Sequence, residues 1–168
     1  FNICVQNPPT NDECSGAVNL TAASTATCTN TTGSLDMATV STPTVGCATG
    51  TNYDVWYSFT ATALSHTISL SNLGSSIIAP RIQLYSSTCG GLVSISCASG
   101  TSLTQGALVI GTTYRVRISN NGTDPSATSG TGNGFSICVV SSAGVLNDNC
   151  SGAISLTSGT TCNQVAGT

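Results

Sequence analysis

Residues 53–62 read YDVWYSFTAT. Val55, Tyr57 and Phe59 alternate there with Trp56, Ser58 and Thr60, and a period of two marks a half-buried strand. Five more stretches repeat the pattern: HTISLS with Ile68 and Leu70, RIQLYS with Ile82 and Leu84, LVSISC with Val93, Ile95 and Cys97, TTYRVRIS with Tyr114, Val116 and Ile118 against Arg115, Arg117 and Ser119, and GFSICVV with Phe135, Ile137 and Val139 against Ser136 and Cys138. Clusters of Gly, Asn, Ser and Pro separate them, among them SNLGSS, CGG, ASGTS and the long NNGTDPSATSGTGNG. No window carries a helical stripe. Short strands with turns at regular spacing predict an all-β chain, a two-sheet antiparallel β-sandwich of jelly-roll-like form.

The surface implied by the composition is unusual. Only 5% of the 168 residues are charged, lysine is absent, and the cations are Arg81, Arg115 and Arg117. Net charge is −3. A phosphate-binding face needs clustered Lys and Arg, so nucleic acid is not an expected partner. No stretch has the length and apolarity of a membrane span. The chain has no initiating Met and no signal-peptide pattern, and is expected to be a mature protein or a piece of a larger one.

Nine cysteines without a CxxC pair, and with His66 as the single histidine, point to disulfides and an extracellular or cell-surface location rather than to a zinc site. Their distribution follows an internal repeat. Phe1, Ile3, Cys4 and Val5 match Phe135, Ile137, Cys138 and Val139, and Asn11, Asp12, Cys14, Ser15, Gly16, Ala17, Leu20 and Thr21 match Asn147, Asp148, Cys150, Ser151, Gly152, Ala153, Leu156 and Thr157. Thr27 and Cys28 match Thr161 and Cys162. The expected division is therefore the last strand of a preceding unit (1–5), a linker (6–10), a complete sandwich (11–140), a second linker (141–146) and the start of another unit (147–168).

The complete unit holds Cys14, Cys28, Cys47, Cys89, Cys97 and Cys138, an even set. Cys89 and Cys97 flank a short turn and strand and are the first expected pair. For the rest, Cys28–Cys47 with Cys14–Cys138, the linker pairs Cys4–Cys14 and Cys138–Cys150, and Cys14–Cys28 with Cys47–Cys138 all stay open, because connectivity does not follow from spacing. Cys138 lies opposite Phe135 and Ile137 on its strand, which suits a bridge to a terminal segment.

The order NDECSGAVNLT, DVWYSFTAT, HTISLS, IQLYSSTCGGLVSISC, GTTYRVRIS and GFSICVV resembles the tandem β-sandwich domains of very large secreted surface proteins of Bacteroidota, similar to the bacterial pre-peptidase C-terminal domain. The resemblance implies a non-catalytic stalk, filament or adhesin unit exported by the type 9 secretion route, and it brings no catalytic residues with it.

The residues themselves agree with a chain that is not an enzyme. There is no G-x-S-x-G elbow, and Asp12, Glu13, Asp36, Asp54, Asp124 and Asp148 form no evident acid–base pair. No cofactor is expected. Asp12, Asp54 and Asp148 are the candidate ligands should a Ca²⁺ ion be held. The competing reading of the recurring NDEC and NDNC is an Asx turn that launches the first strand, and His66 is read as a surface or hydrogen-bonded residue. Sequons at Asn19, Asn30, Asn121 and Asn149 are glycan acceptors in a compartment that glycosylates them.

The leading expectation is a structural repeat of an extracellular filament or surface adhesin, with neighbouring copies of the same repeat as partners. These would lie in one chain or join by strand addition through Phe1, Ile3 and Val5. The alternative is a carbohydrate-binding or accessory module of a secreted enzyme, binding surface glycans on Tyr53, Trp56 and Tyr85 if these are exposed.

Overall fold

The computed structural model describes residues 7–24, 27–49, 52–121 and 131–142. It contains ten strands: β1 (Val18–Leu20), β2 (Ala22–Ala23), β3 (Thr31–Ser34), β4 (Asp54–Thr60), β5 (His66–Ser71), β6 (Pro80–Ser86), β7 (Val93–Ser99), β8 (Ser102–Gln105), β9 (Thr113–Asn120) and β10 (Gly134–Ser141). Short 3-10 turns at Cys14–Gly16 and Thr131–Asn133 are the helical elements among the described residues. One sheet runs β1-β4-β9-β6-β7 and the other β2-β10-β5-β8, with β3 sharing the β2 side of β10. The fold is the expected β-sandwich.

The long strands are the ones whose alternation is strongest. Val55, Tyr57 and Phe59 of β4, Ile82 and Leu84 of β6, Tyr114, Val116 and Ile118 of β9, and Phe135, Ile137 and Val139 of β10 are all buried in one core between the sheets. Pairing β4 with β9 aligns Val55 with Ile118 and Tyr57 with Val116, so inward residues face the same side across the ladder.

Two features depart from the sequence reading. First, each sheet carries one parallel pair, β1 with β4 and β2 with β10, where an antiparallel sandwich was expected. The chain crosses between sheets at residue 21, so these short strands run in one direction along the edges of both sheets. A parallel partner requires such a crossover, not a hairpin. Second, β7 does not keep the phase predicted for Val93, Ile95 and Cys97. A register shift between Leu84 and Tyr85 leaves Ile95 as an extra residue in the ladder. A bulge of this kind reverses the facing of the residues beyond it, so Ile95 and Ala98 pack on the core while Val93 is exposed.

That bulge helps decide the disulfides, which the structure pairs as Cys14–Cys89, Cys28–Cys138 and Cys47–Cys97, with Cα separations of 5.6, 5.8 and 5.7 Å. The expected Cys89–Cys97 pair is corrected. Cys89 stays in the β6–β7 turn, while Cys97 lies four residues along β7, about 13 Å from its start. Cys97 instead meets Cys47 in the loop over β6. That loop is held by Gly46 N–H donating to Gln83 Oε1 (2.9 Å) and Arg81 Nε–H donating to the Cys47 carbonyl (3.1 Å). Cys28–Cys47 and Cys14–Cys138 are corrected for one reason: Cys14 and Cys47 are bridged to the β6–β7 side of the first sheet, whereas Cys28 is bridged to Cys138 in β10 of the second. Cys28 precedes β3 and is carried to β10, where Cys138 points away from the core. The linker pairs Cys4–Cys14 and Cys138–Cys150, and the scheme of Cys14–Cys28 with Cys47–Cys138, fail because Cys14, Cys28, Cys47 and Cys138 have other partners. Cys4, Cys150 and Cys162 lie outside the described residues.

Candidate functional site

The segment that precedes β1 is fastened to the outer face of the first sheet. Trp56 N–H donates to the Asn11 carbonyl (2.7 Å) and Asn11 Nδ2 donates to the Trp56 carbonyl (2.9 Å). The Asp12 carboxylate accepts from Thr39 N–H and Thr39 Oγ1, both at 2.6 Å. Cys14 is bridged to Cys89. NDEC is therefore a long-range anchor, and the Asx-turn reading is corrected: its side chains reach residues 39 and 56 instead of backbone two positions on. Gly16 is required by this docking, since a Cβ there would lie 2.2 Å from the Thr10 carbonyl oxygen.

Beneath the anchor lies a buried polar cluster. Arg117, opposite Trp56 in the β4–β9 ladder, donates through Nη2 to Asp54 Oδ2 (2.5 Å) and to the Ser41 carbonyl (2.8 Å), and through Nη1 to the Pro43 carbonyl. Ser41 donates to Asp54 Oδ1 from its hydroxyl (2.7 Å) and to Oδ2 from its N–H (3.1 Å). Trp56 Nε1–H donates to Ser41 Oγ (2.9 Å), and the guanidinium stands 5.3 Å from the Trp56 ring centroid. Asp54, Trp56 and Arg117 are at most 1% exposed, so the charges are paired and hydrogen-bonded, as burial demands. Both oxygens of Asp12 and of Asp54 are thus committed to protein donors, which corrects their candidacy as Ca²⁺ ligands. No group of three or more His, Cys, Asp or Glu side chains with metal-holding geometry occurs among the described residues. Asp148 lies outside them.

This cluster also overturns the aromatic platform. Trp56 and Tyr85 pack together at 5.5 Å and are 0% and 1% exposed, and Tyr53 is partly buried against the core. Cys14, Ala17, Cys89 and Leu92 pack against Trp56 and Tyr85 and shield them from solvent.

An open space does exist, on the side of the sandwich where β1 and β3 form neighbouring edges. A cleft of about 440 Å³ is lined by Pro9, Thr10, Asn11, Val18, Thr32, Gly33, Ser34 and Tyr57. The lining is uncharged: hydroxyls, one amide and small apolar surfaces. At its floor stands the Tyr57 hydroxyl, whose ring packs edge-on to Phe135. Burial pushes the Tyr57 pKa up to about 12, opposed in part by the hydrogen bond with the Asn11 side chain. The phenol is consequently a neutral group at any ordinary pH. Gly33 lets β3 cross directly above it, since a Cβ there would stand 2.1 Å from the hydroxyl oxygen.

A family model described as galactose-binding-domain-like and associated with type 9 secretion matches residues 10–131. The chain belongs to this family. No curated protein and no solved structure matches it. The family is one of secreted Bacteroidota domains, which makes this chain a secreted or cell-surface protein, and no helix among its described residues is long and apolar enough to cross a membrane.

The remaining candidate residues of this galactose-binding-like domain are scattered. His66 is fully buried, against the surface alternative, with its ring 5.2 Å from that of Phe59. Its Nε2 accepts from Thr62 N–H (3.2 Å) and lies 3.1 Å from Thr62 Oγ1, so Nδ1 carries the proton of the neutral ring. Desolvation lowers its pKa. Asp36 accepts from Asn133 Nδ2 (3.1 Å). Asn19 and Asn30 are exposed, and Asn121 is half-buried with Oδ1 accepting from Thr49 N–H (3.1 Å). Asn149, Asp124, Phe1, Ile3 and Val5 lie outside the described residues. Sequence reasoning missed the cleft and the Arg117–Asp54 pair. The signal for the pair was present: in a chain with three cations, Arg117 and Asp54 occupy the non-core phase of two adjacent long strands.

Proposed function

We propose that this chain is a non-catalytic repeat of an extracellular filament or surface adhesin, exported by the type 9 route. The supporting observation is the way the NDEC anchor is used. Asn11, Asp12 and Cys14 occupy Trp56, Thr39 and Cys89 of their own sandwich. Residues 147–153 repeat the same anchor as NDNCSGA, and one sandwich offers one such docking set. A second anchor calls for a second sandwich, which is the logic of an array of units each closed by its own bridges. The division at 11–140 and 147–168 follows from this reading. Three disulfides, few charges and no lysine suit a unit exposed to proteases outside the cell. Electron microscopy of the native secreted material tests it: a thin fibre with an axial repeat of one sandwich is expected, and isolated globular particles without a repeat would refute it.

A second reading has its own support in the cleft. Its uncharged, hydroxyl-rich lining and its volume suit a neutral sugar, in keeping with the family description. Titration with neutral mono- and disaccharides, followed by NMR, is expected under this reading to shift the amides of Thr10, Thr32 and Ser34. Unchanged spectra across a panel of neutral glycans would dismiss it.

A further inference from the structure

Three exposed apolar side chains stand at one end of the sandwich. Leu64 in the β4–β5 connection is 56% exposed, and Val109 and Ile110 in the β8–β9 connection are 63% and 59% exposed. The two connections are tied together: Leu108 N–H donates to the Leu64 carbonyl (2.9 Å) and Gly111 N–H to the Ala61 carbonyl (2.8 Å). Leu108 itself is in the core. The two connections are therefore held side by side by backbone hydrogen bonds, and together they present apolar surface to solvent.

The chain leaves the sandwich at the same place. After β10, Ser142 N–H donates to the Ser65 carbonyl (3.0 Å), one residue from Leu64. Four uncharged residues, Ala143, Gly144, Val145 and Leu146, then separate this point from the repeated NDNCSGA. Fully extended, four residues reach about 14 Å. Any unit that starts at Asn147 must abut this end of the sandwich. So short a tether gives a high effective concentration, on the order of millimolar, and a small apolar contact is then enough to hold two units together.

We infer that Leu64, Val109 and Ile110 form the docking face for the following repeat, fixing the angle between consecutive units. The inference rests on the array reading and adds to it that the array is stiff at its joints. Ile78, 73% exposed, lies in the β5–β6 connection at the opposite end of the sandwich and falls outside this face.

The test uses the native multi-repeat protein and a variant carrying Leu64→Ser, Val109→Ser and Ile110→Ser, with a Val109→Glu single variant beside it. The three side chains are exposed, so the unfolding midpoint of the unit is expected to hold. Should the triple variant lose that midpoint, the single variant carries the test. Inter-unit angles are read from electron micrographs. A distribution at least twofold broader in the variant, with the axial repeat retained, is the expected result. An unchanged distribution with the axial repeat retained overturns the docking face and leaves the array standing. Absence of any axial repeat in the wild type removes the array and this inference with it.

Discussion

Arg117 is the residue on which the outer face of the first sheet depends. Its guanidinium joins Asp54, the carbonyls of Ser41 and Pro43, and the Trp56 ring. Removing it leaves the Asp54 carboxylate buried without its counter-charge. Arg117→Ala is expected to cost about 3–5 kcal/mol, measured by denaturant unfolding. Adding Asp54→Asn should restore part of that loss, since the stranded charge then disappears. Gly33 makes a different prediction. Gly33→Ala places a methyl against the Tyr57 hydroxyl and the Phe135 ring, an overpacking cost of about 1–3 kcal/mol. Tyr57→Phe should relieve it in part, seen as a favourable coupling in a double-mutant cycle. Two titrations contribute to the pH dependence of stability. His66 has a lowered pKa in the fold, so the unfolded chain binds its proton first. The His66 contribution to stability is complete above the unfolded value of about 6.5 and is lost as pH drops below it. Tyr57, raised to about 12, acts in the opposite sense. Its contribution is complete below about pH 10 and is lost as pH rises from there toward 12. Thermal melts across pH 4–12 (about eight steps) check both limbs, and His66→Asn should flatten the acid one.

At the scale of elements, legibility tracked the length of each strand. β4, β9 and β10 each offer at least three alternating core residues, and period two is unambiguous over seven or eight positions. β1, β2 and β3 have two to four residues of Val, Asn, Leu, Ala, Thr, Gly and Ser, too short for any period. They become strands because β4 and β10 offer open ladder edges. β7 was legible as a strand and illegible in phase, since nothing in VSISCAS announces a bulge at Ile95. The anchor was hidden for another reason. Asn and Asp bond local backbone as readily as distant backbone, and only the folded chain brings Thr39 to Asp12 and Trp56 to Asn11. The cleft is likewise a product of two edges, β1 and β3, that meet only in the sandwich. Among the bridges, Cys14–Cys89 closes a separation of 75 residues. Replacing both cysteines by Ala is expected to cost about 2–5 kcal/mol. It should also raise hydrogen exchange at Trp56 N–H, whose acceptor is the Asn11 carbonyl, more than at Ile118 in the ladder behind it.

For the whole molecule, everything turns on whether each NDxC anchor belongs to a sandwich of its own. The recurrence of NDxC was visible in the sequence, and at its first copy the structure shows a latch that closes the outer face over Trp56 and Arg117. Under the proposed array, docking at Leu64, Val109 and Ile110 would turn a string of latched units into a rod, the form a filament or an adhesin stalk needs. A non-reducing peptide map of the intact secreted protein decides the matter. An array of latched units requires Cys14 bonded to Cys89, and Cys150 bonded to a cysteine of the Cys89 type that lies outside residues 1–168. Cys150 found bonded to Cys4 or Cys162, or found as a free thiol, would contradict it.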